Sequence, residues 1–248
     1  MKIRMSIEQS DDEKIIKKVM EKYHFDKEAE NELKAVYKKM LLCMSPYAIY
    51  KMNQRDTGVK FVDDRQSAIV AMTLGCGVDS LEERLTNEGK LDEAYMLECI
   101  AGEMLLNMYK DFNRSYARFH RRYVERYVFI GDEIPVTVIP RLLEEIKGSK
   151  PGITTGTVTD AEASEELSVL DEDEIGLKTA VDADEITTNE YGVLSPSKSV
   201  IFYAILTENP NQVCEGICNS CQNDRCDNRI KDRHLQLEHC MLYCRKKD

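Results

Sequence analysis

From Asp92 to Tyr123 only Gly102 interrupts a helical pattern. A stretch of that length with no strong breaker predicts one long helix, which needs a buried face. Its second half carries Tyr109, Phe112, Tyr116, Phe119 and Tyr123, spaced alternately by three and four and so predicted to share one face. Arg114, Arg118, Arg121 and Arg122 flank that stripe. The arrangement reads as an aromatic core seam with arginine stems lying along its edges. A ligand-stacking wall and an RNA-binding face are the alternatives. Glu98 and Glu103 lie on the same helix, where an inward carboxylate could meet an ammonium or a ribose hydroxyl; a surface position is the commoner fate of glutamate.

Around this helix the pattern alternates. Ser10 to Glu13 has capping-box spacing, followed by Ile15, Ile16, Val19, Met20 and Tyr23 at helical intervals. A turn at His24 to Asp26 leads to a second helix with Leu33, Val36, Tyr37, Met40 and Leu41. Tyr47 to Lys51 and Gln66 to Leu74 read as strands. Gly75 and Gly77 break the second of these, and Asp79 to Glu82 can cap a short helix. Pro135 to Pro140 reads as extended, Arg141 to Lys147 as a short amphipathic helix, and Glu185 to Thr188 and Val200 to Leu206 as strands. Between them, residues 148–185 are rich in Thr, Ser and acids, with Lys178 the sole base after Lys150, which predicts a solvated insertion or an acidic docking surface, with a further strand at Ile175 to Val181. The organisation expected is an N-terminal helical segment at 1–45, an α+β domain at 46–212 and a cysteine-rich tail at 213–248.

The formal net charge of -11 argues against a general nucleic-acid or anionic-membrane binder. No apolar run is long enough to span a bilayer, and the N-terminus turns acidic before the apolar core of a signal peptide could form. The expectation is a cytoplasmic protein with no membrane and no nucleic acid among its partners. Of nine cysteines, Cys43, Cys76 and Cys99 sit in apolar surroundings and read as small core residues. The other six fall within residues 214 to 244, and in a reducing compartment such a cluster is more often a metal or redox site than a set of disulfides. Cys214, Cys218 and Cys221 have the C-x3-C-x2-C spacing of radical-SAM enzymes, but only 27 residues follow Cys221, too few for the barrel those enzymes need. With Cys226 they could hold zinc or an iron–sulfur cluster, and His234, His239, Cys240 and Cys244 could complete or extend the site.

Three stretches in one order resemble the activation domain of cobalamin-dependent methionine synthase in its free-standing form. They are Ala71 to Leu105, with its T-L-G turn and D-x-x-A-Y helix start; Phe129 to Val136, with Gly131-Asp132 followed by Pro135; and Ile186 to Leu206, with P-S-K-S-V at Pro196 to Val200. The resemblance implies an α+β fold, a twisted antiparallel sheet flanked by long helices. It further implies a domain that binds S-adenosylmethionine and presents its methyl group to an oxidised corrinoid while an external donor reduces the cobalt. The partner would be cobalamin-dependent methionine synthase or another corrinoid protein, with the cobalamin on the partner. Whether the chain is itself an enzyme is left open, since the cobalt supplies the hard chemistry and no triad or carboxylate dyad stands out. The implied ligand residues are Arg126, Gly131, Asp132, Pro135, Ser197 and Lys198. The family's R-x-x-x-G-Y pattern is displaced here, because Gly131 lies one residue too far from Arg126 and Ile130 precedes it, and the family's T-E is Thr188-Asn189. Read from the residues alone, Arg126 could instead cap the long helix, Gly131-Asp132 could be a plain turn, and Lys198 could be a solubilising lysine beside an edge strand. Two further functions remain: a corrinoid-protein interaction module that has lost the ligand, and a small metal-binding regulatory protein.

Overall fold

A computed structural model of the chain describes residues 1–5, 12–53, 66–131, 134–148 and 185–210. Its organising element is a five-stranded sheet built from β1 (Lys2–Arg4), β2 (Tyr47–Asn53), β3 (Ser67–Thr73), β4 (Tyr123–Phe129) and the last strand, β7 (Ser199–Thr207). The strand order is β1-β2-β3-β7-β4, and every neighbouring pair is antiparallel. Two short strands, β5 (Thr187–Thr188) and β6 (Leu194–Ser195), form a separate hairpin. The protein is therefore α+β with an antiparallel sheet, the class that the family resemblance implies.

Side chains alternate between two cores with the period of the strands. On one face Ala48, Tyr50, Ala68, Val70, Met72, Val124, Tyr127, Phe202, Ala204 and Leu206 pack beneath four helices. These are α1 (Asp12–Tyr23), α2 (Glu30–Cys43), α3 (Cys76–Asn87) and α4 (Leu91–His120). On the other face Tyr47, Ile69, Ala71, Val128, Ile201, Tyr203 and Ile205 meet Ile139, Leu142, Leu143 and Ile146 of α5 (Ile139–Gly148). Covered on both sides, all seven residues of β3 are buried, which explains its nearly unbroken apolar sequence.

Several local expectations are corrected. The long helix stops at His120 because Arg121 takes a left-handed conformation, φ 52°, and its N–H closes on the Ala117 carbonyl. Tyr123 then opens β4, so the aromatic seam runs only through Tyr109, Phe112 and Tyr116, while Phe119 is 57% exposed. Pro135 to Pro140 is not extended: Val136–Val138 is a 3-10 turn and α5 begins at Ile139, with Pro140 in its first turn, where a missing N–H costs nothing. Helix α3 begins at Cys76, so Asp79 lies inside its first turn rather than at its cap. Strand β1 had no counterpart in the sequence reading; it pairs with β2 and buries Ile3. Residues 6–11, including part of the capping-box sequence, the insertion with its expected strand at Ile175 to Val181, Asp132, and the cysteines from Cys214 onward lie outside the described residues.

Candidate functional site at one end of the sheet

Strand register determines which of the singled-out residues can meet. Ser199 of β7 pairs with Thr73 of β3, and the Leu74 N–H donates to the Lys198 carbonyl at 3.0 Å. On the other side of β7, Phe129 pairs with Phe202, so β4 runs out toward this same end. The turn after β3, the loop after β4 and the turn before β7 therefore lie together.

Asp79 joins two of these segments. Its Oδ2 accepts the Ser197 backbone N–H at 2.7 Å, and its Oδ1 accepts the Ser197 hydroxyl at 2.8 Å. The carboxylate thus fixes the turn before β7 to the first turn of α3. That turn includes a cis Ser195–Pro196 bond. Beside it the Lys198 ammonium is ion-paired with Glu98 on α4 and lies 3.3 Å from Glu82 on α3. Only 12% of the Lys198 side chain is exposed. Burial alone would lower this ammonium's pKa, but the hydrogen bond and charge of Glu98, with Glu82 behind it, hold the pKa above the ordinary lysine value. The reading of Lys198 as a solubilising lysine beside an edge strand is corrected, since β7 lies between β3 and β4.

The loop after β4 turns through Gly131, whose φ of 116° is one that side chains rarely adopt. Its N–H donates to the Ile134 carbonyl at 2.7 Å, closing the loop just before Pro135. The β5–β6 hairpin presses on the next residue: a Cβ on Gly192 would sit 2.4 Å from the Val136 carbonyl oxygen. Asn189 shapes the hairpin tip, its Oδ1 accepting the N–H groups of Tyr191 and Val193 at 3.0 Å each. The asparagine that stands in place of an acid is therefore a turn former. Tyr191, Val193 and Val136 leave an exposed apolar rim here.

Arg126 is elsewhere. It neither caps α4 nor lies in a loop; it is a β4 residue opposite Ile205, next to a register irregularity. Its pairing puts it on the side of Ile205 and Val128, the α5 face, whereas Lys198 reaches α3 and α4 on the other face. Along the strands, at about 3.3 Å per residue, it lies roughly 16 Å from Gly131 and roughly 23 Å from Lys198. The structure brings Gly131, Pro135, Ser197 and Lys198 to one end of the sheet and leaves Arg126 apart. Asp79, Glu82 and Glu98 emerge as the residues that hold the site, and of these only Glu98 carried a sequence hint, as a carboxylate that could meet an ammonium.

Glu103, the other such candidate, is fully buried and binds the ammonium groups of Lys18, at 2.6 Å, and Lys22. Cys99 is buried and Cys43 and Cys76 are half-buried, which fits small packing residues better than exposed thiols; burial pushes the Cys43 thiol up to about 11. Among the described residues no group of three or more His, Cys, Asp or Glu side chains is arranged to hold a metal ion. Among them, too, no helix is long and apolar enough to cross a membrane. No known protein family's pattern matches the chain, and no curated protein matches it.

Proposed function

We propose that the protein is an S-adenosylmethionine-binding reactivation partner of cobalamin-dependent methionine synthase, with a fold like that enzyme's activation domain. The single observation that carries this reading is the convergence of the three family-like stretches, 71–105, 129–136 and 186–206, at one end of the sheet. Asp79 joins the first to the third, and Gly192 packs the third against Val136 of the second. The charge there suits such a ligand: Asp79, Glu82 and Glu98 oppose Lys198 alone, and the net negative balance favours a group carrying sulfonium and ammonium cations. Bound at that end, the ligand would supply the methyl group, and the chain's task is to hold and orient it and keep water away.

A second reading is favoured by one further observation. Lys198 is already engaged by two glutamates, and Arg126 is on the far face, so neither is available to grip the ligand's carboxylate from this end. A corrinoid-protein interaction module that has lost the ligand would look like this.

Calorimetric titration separates the two. The first reading expects micromolar binding of S-adenosylmethionine, weakened tenfold or more by Asp79→Asn, while Arg126→Ala leaves it unchanged. A tenfold loss is about 1.4 kcal/mol, the size of one hydrogen bond to a charged group. No heat at millimolar ligand would remove the methyl-donor reading and leave the interaction module.

A further inference from the structure

We infer that the C-terminal half of α4 is a docking surface for an acidic protein. The charge of this chain is very unevenly distributed. Residues 104–123 carry five basic side chains against one acid, Asp111, a formal charge of +4, while the rest of the chain sums to -15. Lys110, Arg114 and Arg118 follow one another at intervals of four, so they form one row along the helix, which Arg121 extends at its left-handed end. Arg118 and Arg121 are exposed and make no ion pair among the described residues, whereas Arg114 is 3.9 Å from Asp111 and Arg122 is 3.2 Å from Glu208.

Phe119 lies about a quarter turn round the helix from Arg118, on the side of the aromatic seam, and is 57% exposed, although Tyr109, Phe112 and Tyr116 before it are buried in the core. An exposed ring beside a row of cationic side chains offers a partner an apolar contact next to the charged groups that set the register. Its core position was lost because the helix ends one residue later at His120, which takes the place beside Tyr116, with ring centroids 4.6 Å apart, and meets the Tyr50 hydroxyl at 2.6 Å. Charge complementarity selects the partner. A cationic row on a strongly acidic chain attracts a compact acidic patch at close range, whereas an extended polyanion such as RNA would also meet the repulsion of the remaining -15.

The test uses the full chain and a defined probe, a 20-residue amphipathic helical peptide with a glutamate face and a leucine stripe. The comparison ligands are the same peptide with lysine for glutamate and a 20-nucleotide oligouridylate. Binding is read by fluorescence anisotropy at 50 and 200 mM salt. The docking surface predicts binding of the acidic peptide alone, a clear loss at the higher salt, and at least tenfold weakening in the Arg118→Gln, Arg121→Asn double variant. Asn is chosen because it tolerates the left-handed conformation, and unchanged circular dichroism establishes that the variant is folded. Phe119→Ser should weaken binding at least threefold without altering the salt dependence. The inference is overturned if the acidic peptide does not bind, if the folded double variant binds it as well as the parent, or if oligouridylate binds more tightly than the peptide.

Discussion

Glu103 shows how a single side chain can be misjudged from sequence. Glutamate on a long helix is ordinarily solvated, yet this one is fully buried between α4 and α1 with two lysines on its carboxylate. Burial by itself would raise its pKa, but the hydrogen bonds and charges of Lys18 and Lys22 outweigh that and hold the carboxyl below its usual range. For Lys22 burial pulls the other way, and Glu103 again prevails, raising the ammonium above its usual value. The signs give both limbs of a stability profile. The carboxylate's contribution is present above the ordinary glutamate pKa of about 4.3 and is lost as pH falls through the lower folded value. The ammonium's is complete below about 10.4 and is lost as pH rises through the higher folded value. Glu103→Gln should cost about 2–3 kcal/mol in denaturant melts at pH 7, below the range for a fully buried pair because both lysines can reach water. The same variant should flatten the acid limb; an unchanged acid limb would mean that the pair contributes nothing.

Among elements, the approach of α3 to α2 is the tightest constraint. A Cβ on Gly77 would lie 2.0 Å from the Cys43 carbonyl oxygen, a contact with backbone that no side-chain rotation relieves. Gly77→Ala should therefore force α3 away from the end of α2 and cost about 2–3 kcal/mol in thermal or denaturant melts. Gly148→Ala meets nothing within 4 Å and should change stability by less than about 0.5 kcal/mol. The existence of α3 was legible, because Gly75 and Gly77 break a strand and Asp79 to Glu82 suits the start of a short helix. The reason for Gly77 was not, since the atom it avoids is 34 positions away in the chain.

At the scale of the whole molecule, the two-sided burial of β3 makes it the centre of the fold. Hydrogen exchange should find the amides of β3 and of the middle of β7 opening only with global unfolding. Those of the edge strand β1 and of the β5–β6 hairpin should exchange earlier, because fewer neighbours cover them. Equal protection of β1 and β3 would show that the sheet opens as one unit.

The sequence by itself determined the local grammar: where helical spacing gives way to alternation, that Gln66 to Leu74 forms a strand, and that one long helix dominates the chain. These follow from short-range periodicity, which each segment carries within itself. Only the tertiary structure decided where α4 stops, since Arg121 must turn for β4 to run back along β7. It also decided which carboxylates become structural, because Asp79 acquires its role from Ser197, and Glu82 and Glu98 theirs from Lys198, all a hundred or more residues later. The separation of Arg126 from Lys198 has the same origin: strand register and pleat send the two to opposite ends and opposite faces of one sheet, and neither is encoded near either residue.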